Sequence, residues 1–153
     1  MAGTAKRASG GVRREHQAFL TELADLQRLV ARPASSRAAH SQLVLALDRF
    51  LETWRPRLAA HFDHEESLAR TGVADPFPPE QWMPESFRRE RETFDALLDL
   101  LRDGHGWLVG HEDGAEREIG AALDDLSSLW EQHVRRVDVI GPLLSGHEGA
   151  GHA

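Results

Sequence analysis

Hydrophobic side chains recur along most of the chain every three or four residues, which is the spacing that lines one face of an α-helix. No stretch alternates polar and apolar residues in the way that a half-buried β-strand does. The pattern predicts four amphipathic helices, which begin near residues 12, 36, 85 and 115 and end near residues 30, 68, 101 and 139. Short connections place consecutive helices side by side and antiparallel, so the predicted fold is all-α, an up-down-up-down four-helix bundle.

Proline and serine mark the boundaries of the predicted helices. In the stretch "RPASS", Pro33 ends the first helix, and either Ser35 or Ser36 can cap the second. Pro56 lies inside the second helix and cannot donate to the carbonyl of Glu52, which predicts a bend. The stretch "TGVADPFPPEQWMPES" is predicted to be a loop, and "RDGHGWLVGHEDG" is predicted to hold the end of the third helix and a turn.

The chain reads as one domain with two poorly ordered ends. We expect residues 1–10 to form a disordered N-terminus and residues 145–153, which are rich in glycine and histidine, to form a flexible tail. The bundle itself is predicted to span residues 11–144.

Ionisable residues interrupt the predicted inner faces of the helices at similar heights. In an up-down-up-down bundle, the starts of the first and third helices meet the ends of the second and fourth. The residues placed at this shared end are His16, His61, Glu65, Arg91, His133 and Asp138. Ionisable side chains from all four helices are therefore expected to converge on one cross-section of the core.

The spacing of the polar pairs decides which residues share a helix face. His61 and Glu65 are four residues apart and lie one above the other. His133 and Asp138 are five apart, which on an ideal helix is a rotation of about 140°. They share a face only if the helix loosens locally, as in a π-type turn that Pro142 would make easier; otherwise Asp138 lies at the bundle edge.

Burial of these ionisable side chains must be offset by favourable interactions. Burial costs several kcal/mol per ion unless the charges are paired or coordinate a metal. A single buried histidine is usually a hydrogen-bonded core residue, but several histidines placed with a glutamate favour a metal site. Imidazoles and carboxylates from different helices suit non-haem iron or manganese, and zinc accepts the same donors. The chain has no cysteine, which excludes thiolate ligands.

The order His16, then His61-x-x-x-Glu65, then His133-x-x-x-x-Asp138 resembles hemerythrin and the wider hemerythrin-like family over about residues 12–144. The resemblance implies a four-helix bundle with a non-haem di-iron centre that binds dioxygen reversibly, senses oxygen or iron, or handles nitric oxide or peroxide. It also implies that Glu65 and Asp138 bridge two metals and that the three histidines are terminal ligands.

The third helix departs from the family, which places one or two histidines there. This chain reads "FRRERETFDALLDLL", and Arg91 occupies the expected histidine position. A guanidinium cannot ligate a metal, but it can pair with Glu65 or Asp138 and replace the charge of a cation. A single metal would then be held by His16, His61, Glu65 and His133, with Asp138 as a further ligand or as the arginine's partner. Alternatively, Glu90 would swing in as a third-helix carboxylate and restore the second metal position.

These residues lead to three functional hypotheses. The first is a non-haem iron protein, with one or two ions and with manganese or zinc also possible, that binds or senses dioxygen, nitric oxide or peroxide. The second is a metal-free helical bundle that serves as an interaction or sensor module and holds a buried cluster of Arg91, carboxylates and histidines. The third is an enzyme that uses iron and dioxygen on a small organic substrate, although the sequence carries no substrate signature.

Charge and hydropathy narrow the classes of partner. The net charge is −7, with acids and bases mixed along the chain, which argues against nucleic-acid binding. No stretch reaches the ~18 apolar residues that a membrane span needs, and the first residues do not resemble a signal peptide. With the absence of cysteine, these features lead us to expect a cytoplasmic protein.

Overall fold

Four helices make up the computed structural model of the protein, which describes residues 3–32, 36–72 and 84–145, with side chains for 13–32, 36–67 and 87–135. The helices are α1 (Gly3–Ala31), α2 (Arg37–Gly72), α3 (Pro84–Val109) and α4 (Ala115–Ser145). Each helix packs against the next, and α1 also packs against α4, so the four close into a bundle. The prediction of an all-α bundle is confirmed, and no strand occurs among the described residues.

The start of α2 shows how the sequence sets a helix boundary. Ser36 lies just before Arg37, the first residue of α2, and its hydroxyl accepts a hydrogen bond from the backbone N–H of Ala39 at 3.1 Å. This bond satisfies an amide that has no partner within the helix. Of the two serines proposed as the cap, Ser36 is confirmed, and Ser35 lies outside the described residues.

The predicted boundaries of α1 and α3 need correction. α1 begins at Gly3 rather than near residue 12, so the expected disordered N-terminus is helical from residue 3 onward. Alanine, lysine and arginine in this segment are good helix formers. α3 does not end near residue 101 but continues to Val109, and the turn to α4 follows, with Gly114 at a φ of 81°. The predicted tail lies outside the described residues beyond residue 145 and stays a prediction.

Close packing of α3 on α4 explains why α3 continues through two glycines. Gly104 lies so near α4 that a Cβ atom there would be 2.6 Å from Cγ1 of Ile119. Leu108, one turn further on, is buried in the core. Burial of this face outweighs the cost of about 1 kcal/mol that each glycine brings to a helix.

Replacement of these two glycines by alanine is expected to have opposite effects. A Cβ atom added at Gly106 would have no neighbour within 4 Å. Gly106→Ala should therefore raise the free energy of unfolding by about 0.5–1 kcal/mol. Gly104→Ala should lower it by about 1 kcal/mol or more, because overpacking against Ile119 exceeds the gain in helix propensity. Urea denaturation of the two variants measures both values, and a change of the same sign in each would contradict this packing.

The core is built around a column of large aromatic side chains. Trp54, Phe19 and Trp130 follow one another, with ring centroids 5.0 Å apart for the first pair and 4.4 Å for the second. All three side chains are fully buried. Trp130 ends the column against the layer in which the polar residues were predicted to meet, so the column forms an apolar floor beneath that layer.

No helix of the described residues carries an apolar stretch long enough to cross a bilayer.

Candidate metal centre

Three histidines from three helices meet in the bundle interior. His16 comes from α1, His61 from α2 and His133 from α4, and their exposed fractions are 4%, 3% and 0%. Glu65, one turn after His61 on α2, is also buried. One donor atom from each of the four residues lies within 4.8 Å of all the others. The bundle therefore brings together four of the predicted site residues, including both members of the His61–Glu65 pair.

The carboxylate of Glu65 is the centre of this cluster. Its Oε1 lies 2.7 Å from Nε2 of His61 and 3.4 Å from Nε2 of His16. Its Oε2 lies 3.0 Å from Nε2 of His133. The Nε2 atoms of His16 and His61 are themselves only 3.1 Å apart. All three imidazoles thus direct the same ring nitrogen toward one point.

Two further carboxylates contact the outer nitrogens of these rings. Glu90, on α3, contacts Nδ1 of His133, and Oε2 of Glu15, on α1, lies 3.3 Å from Nδ1 of His61. An ionised carboxylate can only accept a hydrogen bond, so a ring that carries its proton on Nδ1 can donate it to the carboxylate beside it. In that tautomer Nε2 holds a lone pair that could ligate a metal, whereas a hydrogen bond from Nε2 to Glu65 in the metal-free protein requires a proton on Nε2.

The charges in the cluster favour a bound cation. Burial raises the pKa of Glu65, but hydrogen bonding with His133, His16 and His61 more than offsets this effect and holds the pKa well below its ordinary value. Glu65 is therefore a carboxylate anion. Its Oε2 is buried and has no well-aligned hydrogen-bond donor among the described residues. Such a buried acceptor is costly unless a ligand satisfies it, and imidazole nitrogens with a carboxylate form a set of groups that suits a metal ion.

Aromatic rings enclose the cluster. The ring of Trp130 stacks on that of His133 at 5.1 Å, and its Nε1 donates to the backbone carbonyl of His16 at 3.2 Å. Phe62 and Phe94 lie against the other sides of His133, with centroids 5.4 and 6.2 Å away. These contacts fix the imidazole orientations and surround the cluster with apolar surface, which strengthens electrostatic interactions inside it.

Comparison with protein families agrees with this arrangement. The model of the hemerythrin HHE cation-binding domain matches residues 9–144, which is most of the chain. The chain belongs to the hemerythrin HHE cation-binding family. No curated protein and no solved structure matches it. For this hemerythrin-like chain, the family and the buried histidine–glutamate cluster together indicate a metal site.

Arg91 does not lie where the sequence placed it. Its Nη1 donates to Oδ1 of Asp63 at 2.6 Å, and 34% of its side chain is exposed. The predicted pairing with Glu65 is wrong, because α3 turns Arg91 toward the rim of the bundle. The second hypothesis, a metal-free hemerythrin-like module organised by this arginine, loses its main support. A pairing of Arg91 with Asp138 lies outside the described side chains.

Asp138 and Glu90 complete the predicted set. Asp138 belongs to α4, but its side chain is not among those described, so its role as a metal ligand stays a prediction. The described backbone of α4 is α-helical throughout, without the π-type turn that would move Asp138 onto the face of His133. Glu90 is buried, but it contacts the outer nitrogen of His133 and is not one of the four converging donors. A role for Glu90 as a metal ligand stays a prediction.

Sequence reasoning missed the contact between Glu15 and His61. The only available signal was that Glu15 directly precedes His16, which does not reveal that it reaches a ring on another helix. The structure also shows that Trp130 lies directly against the cluster, a position that periodicity alone cannot distinguish from ordinary core packing.

Proposed function

We propose that this hemerythrin-like protein binds a single iron ion in the bundle interior, where the ion would allow the protein to bind dioxygen or the related ligands nitric oxide and peroxide. The protein ligands would be the Nε2 atoms of His16, His61 and His133 and the carboxylate of Glu65. The observation that carries the proposal is the convergence of these four buried donors within 4.8 Å. The unsatisfied Oε2 of Glu65 supports it, because a cation would give that oxygen a partner.

The residues of α3 favour a site for one metal ion rather than two. Among the described residues, α3 adds no donor to the converging group, because Arg91 pairs with Asp63 and Glu90 contacts the far side of His133. Phe62 and Phe94 pack against the ring of His133 and bring no metal-binding atom. A second ion beside His133 would therefore lack most of the ligands that hemerythrin-like proteins provide.

The donor set and its surroundings support iron and a small ligand. Three imidazole nitrogens and one carboxylate leave positions free on a metal that prefers six ligands, although manganese and zinc accept the same donors. Iron with open positions supplies both ligand binding and redox chemistry when it is bound. The surrounding aromatic side chains limit water and suit a small, weakly polar ligand.

Metal analysis tests the stoichiometry. Protein produced with iron in the growth medium is expected to carry close to one iron per chain, since one set of converging donors is present. Elemental analysis of the freshly purified protein, set against its concentration, gives the ratio. Two irons per chain, together with an oxo-bridge absorption band, would reject the single-metal site.

Visible spectroscopy tests the ligand. The iron-loaded protein is expected to show different spectra when reduced with dithionite under argon, after addition of air, and after addition of nitric oxide. Zinc-loaded protein is the matched control, because it has the same polypeptide without a redox-active ion. Spectra of the reduced iron protein that do not respond to any of these ligands would contradict the proposal.

A further inference from the structure

A buried carboxylate on α3 lies directly behind one of the proposed ligands. Glu90 contacts Nδ1 of His133, and the side chains of the two residues are 8% and 0% exposed. Most glutamates lie at the protein surface, and burial of one costs free energy unless it is hydrogen-bonded. The contact with His133 provides such a bond. It joins α3 to α4 at the height of the metal cluster.

A second, more exposed contact of the same kind joins α1 to α2. Glu15 lies 3.3 Å from Nδ1 of His61, and 32% of its side chain is exposed. The Nε atom of Arg57 lies 3.9 Å from the other oxygen of Glu15, and the guanidinium of Arg57 lies 4.2 Å from the ring centroid of Trp54. Glu15 is thus held at its place beside His61, although water reaches it more readily than it reaches Glu90.

These contacts have a defined effect on the imidazoles. A carboxylate at Nδ1 requires the proton on that nitrogen, which leaves the Nε2 lone pair free for a metal. It also restrains the rotation of the ring and makes Nε2 a stronger electron donor. In histidine metal sites, loss of such a partner typically lowers metal affinity by about 10- to 100-fold.

We propose that Glu90 is a positioning residue through which α3 supports the metal site without providing a ligand to it. Glu90 fixes the ring orientation and the protonated nitrogen of His133, and Glu15 does the same for His61. This inference rests on the proposed metal site and extends it. It assigns a role to the third helix in a chain whose third helix carries no histidine in the converging group.

Cobalt(II) affinity provides the test, because Co²⁺ accepts the same donors as iron and has a visible spectrum that reports its coordination. Competition with a chromophoric chelator is expected to show a loss of about 10- to 100-fold for Glu90→Ala. Glu90→Gln keeps a carbonyl oxygen that can accept from Nδ1, so we expect its affinity to fall less than tenfold. Glu15→Ala should lose less affinity than Glu90→Ala, because Glu15 is partly exposed.

Glu22 offers a matched control. It accepts a hydrogen bond from Nε1 of the buried Trp54, so it too is a carboxylate that holds an aromatic ring on a neighbouring helix. That ring is not in the metal cluster, and Glu22→Ala should leave Co²⁺ affinity within about twofold of the unmodified protein. Circular dichroism of each variant shows whether the bundle has folded.

The outcomes separate this inference from the metal site itself. Failure of the unmodified protein to bind Co²⁺ would overturn both. If the unmodified protein binds Co²⁺ and folded Glu90→Ala binds it with the same affinity, only the role of Glu90 is overturned. If Glu90→Gln and Glu90→Ala lose the same amount of Co²⁺ affinity, Glu90 acts as a ligand instead. If Glu90→Ala does not fold, NMR of the Zn²⁺-loaded unmodified protein decides. An Nδ1 proton of His133 with the downfield shift of a strong hydrogen bond to a carboxylate supports the inference, and an Nδ1 proton without that shift overturns it.

Discussion

Removal of bound metal is expected to lower the melting temperature of this protein by roughly 10 °C. A ligand present at about 1,000 times its dissociation constant stabilises the folded state by about 4 kcal/mol, and each kcal/mol shifts the melting temperature of a domain this size by about 2–4 °C. Without a metal, the buried carboxylate of Glu65 depends on hydrogen bonds from the surrounding imidazoles. A bound cation is therefore expected to act as a folding ligand.

Thermal unfolding followed by circular dichroism measures this effect. The metal-loaded protein is compared with the same sample after addition of excess chelator, and chelator already saturated with zinc serves as the control for effects of the chelator itself. Equal melting temperatures with and without bound metal would contradict the metal-centred account. That result would favour a bundle that folds without a cation.

Replacement of His61 by alanine is expected to lower metal affinity by more than about 100-fold, or about 2.7 kcal/mol. Loss of a residue that only hydrogen-bonds to a metal ligand lowers metal affinity by about 10- to 100-fold. The loss for His61→Ala should be larger, because His61 would itself provide a nitrogen ligand. Its Nε2 lies 2.7 Å from Oε1 of Glu65 and 3.1 Å from Nε2 of His16. Competition of Co²⁺ between each variant and a chromophoric chelator gives the affinity.

The same six-residue stretch, "HFDHEE", contains the control. His64 is the same residue type three positions later on α2, but its side chain is exposed, whereas that of His61 is 3% exposed. His64→Ala should bind metal with the same affinity as the unmodified protein, within about twofold. Similar losses in the two variants would show that the stretch binds metal as a whole on the surface, and the buried cluster would not be the site.

Helical periodicity was sufficient to predict the fold, because an amphipathic helix must bury its apolar face. The inner row of α2 shows this: Leu47, Trp54 and Leu58 are buried as expected. The end of α3 was not predictable in the same way. Glycines in "RDGHGWLVGHEDG" signal a helix end, whereas the close approach of Gly104 to Ile119 depends on residues 15 positions apart in the chain. Only the packed bundle shows that this glycine is needed within the helix.

The amino-acid sequence by itself determined that His16, His61, Glu65 and His133 meet, because each lies on an inner face at the same end of the bundle. Only the tertiary structure decided that Glu90, and not its neighbour Arg91, reaches the cluster. Neighbouring residues on a helix point about 100° apart, so the rotation of α3 about its axis decides which of the two faces the cluster. A run of mixed charges such as "RRERE" contains no apolar residue that sets this rotation. Packing of α3 against α2 and α4 sets it instead.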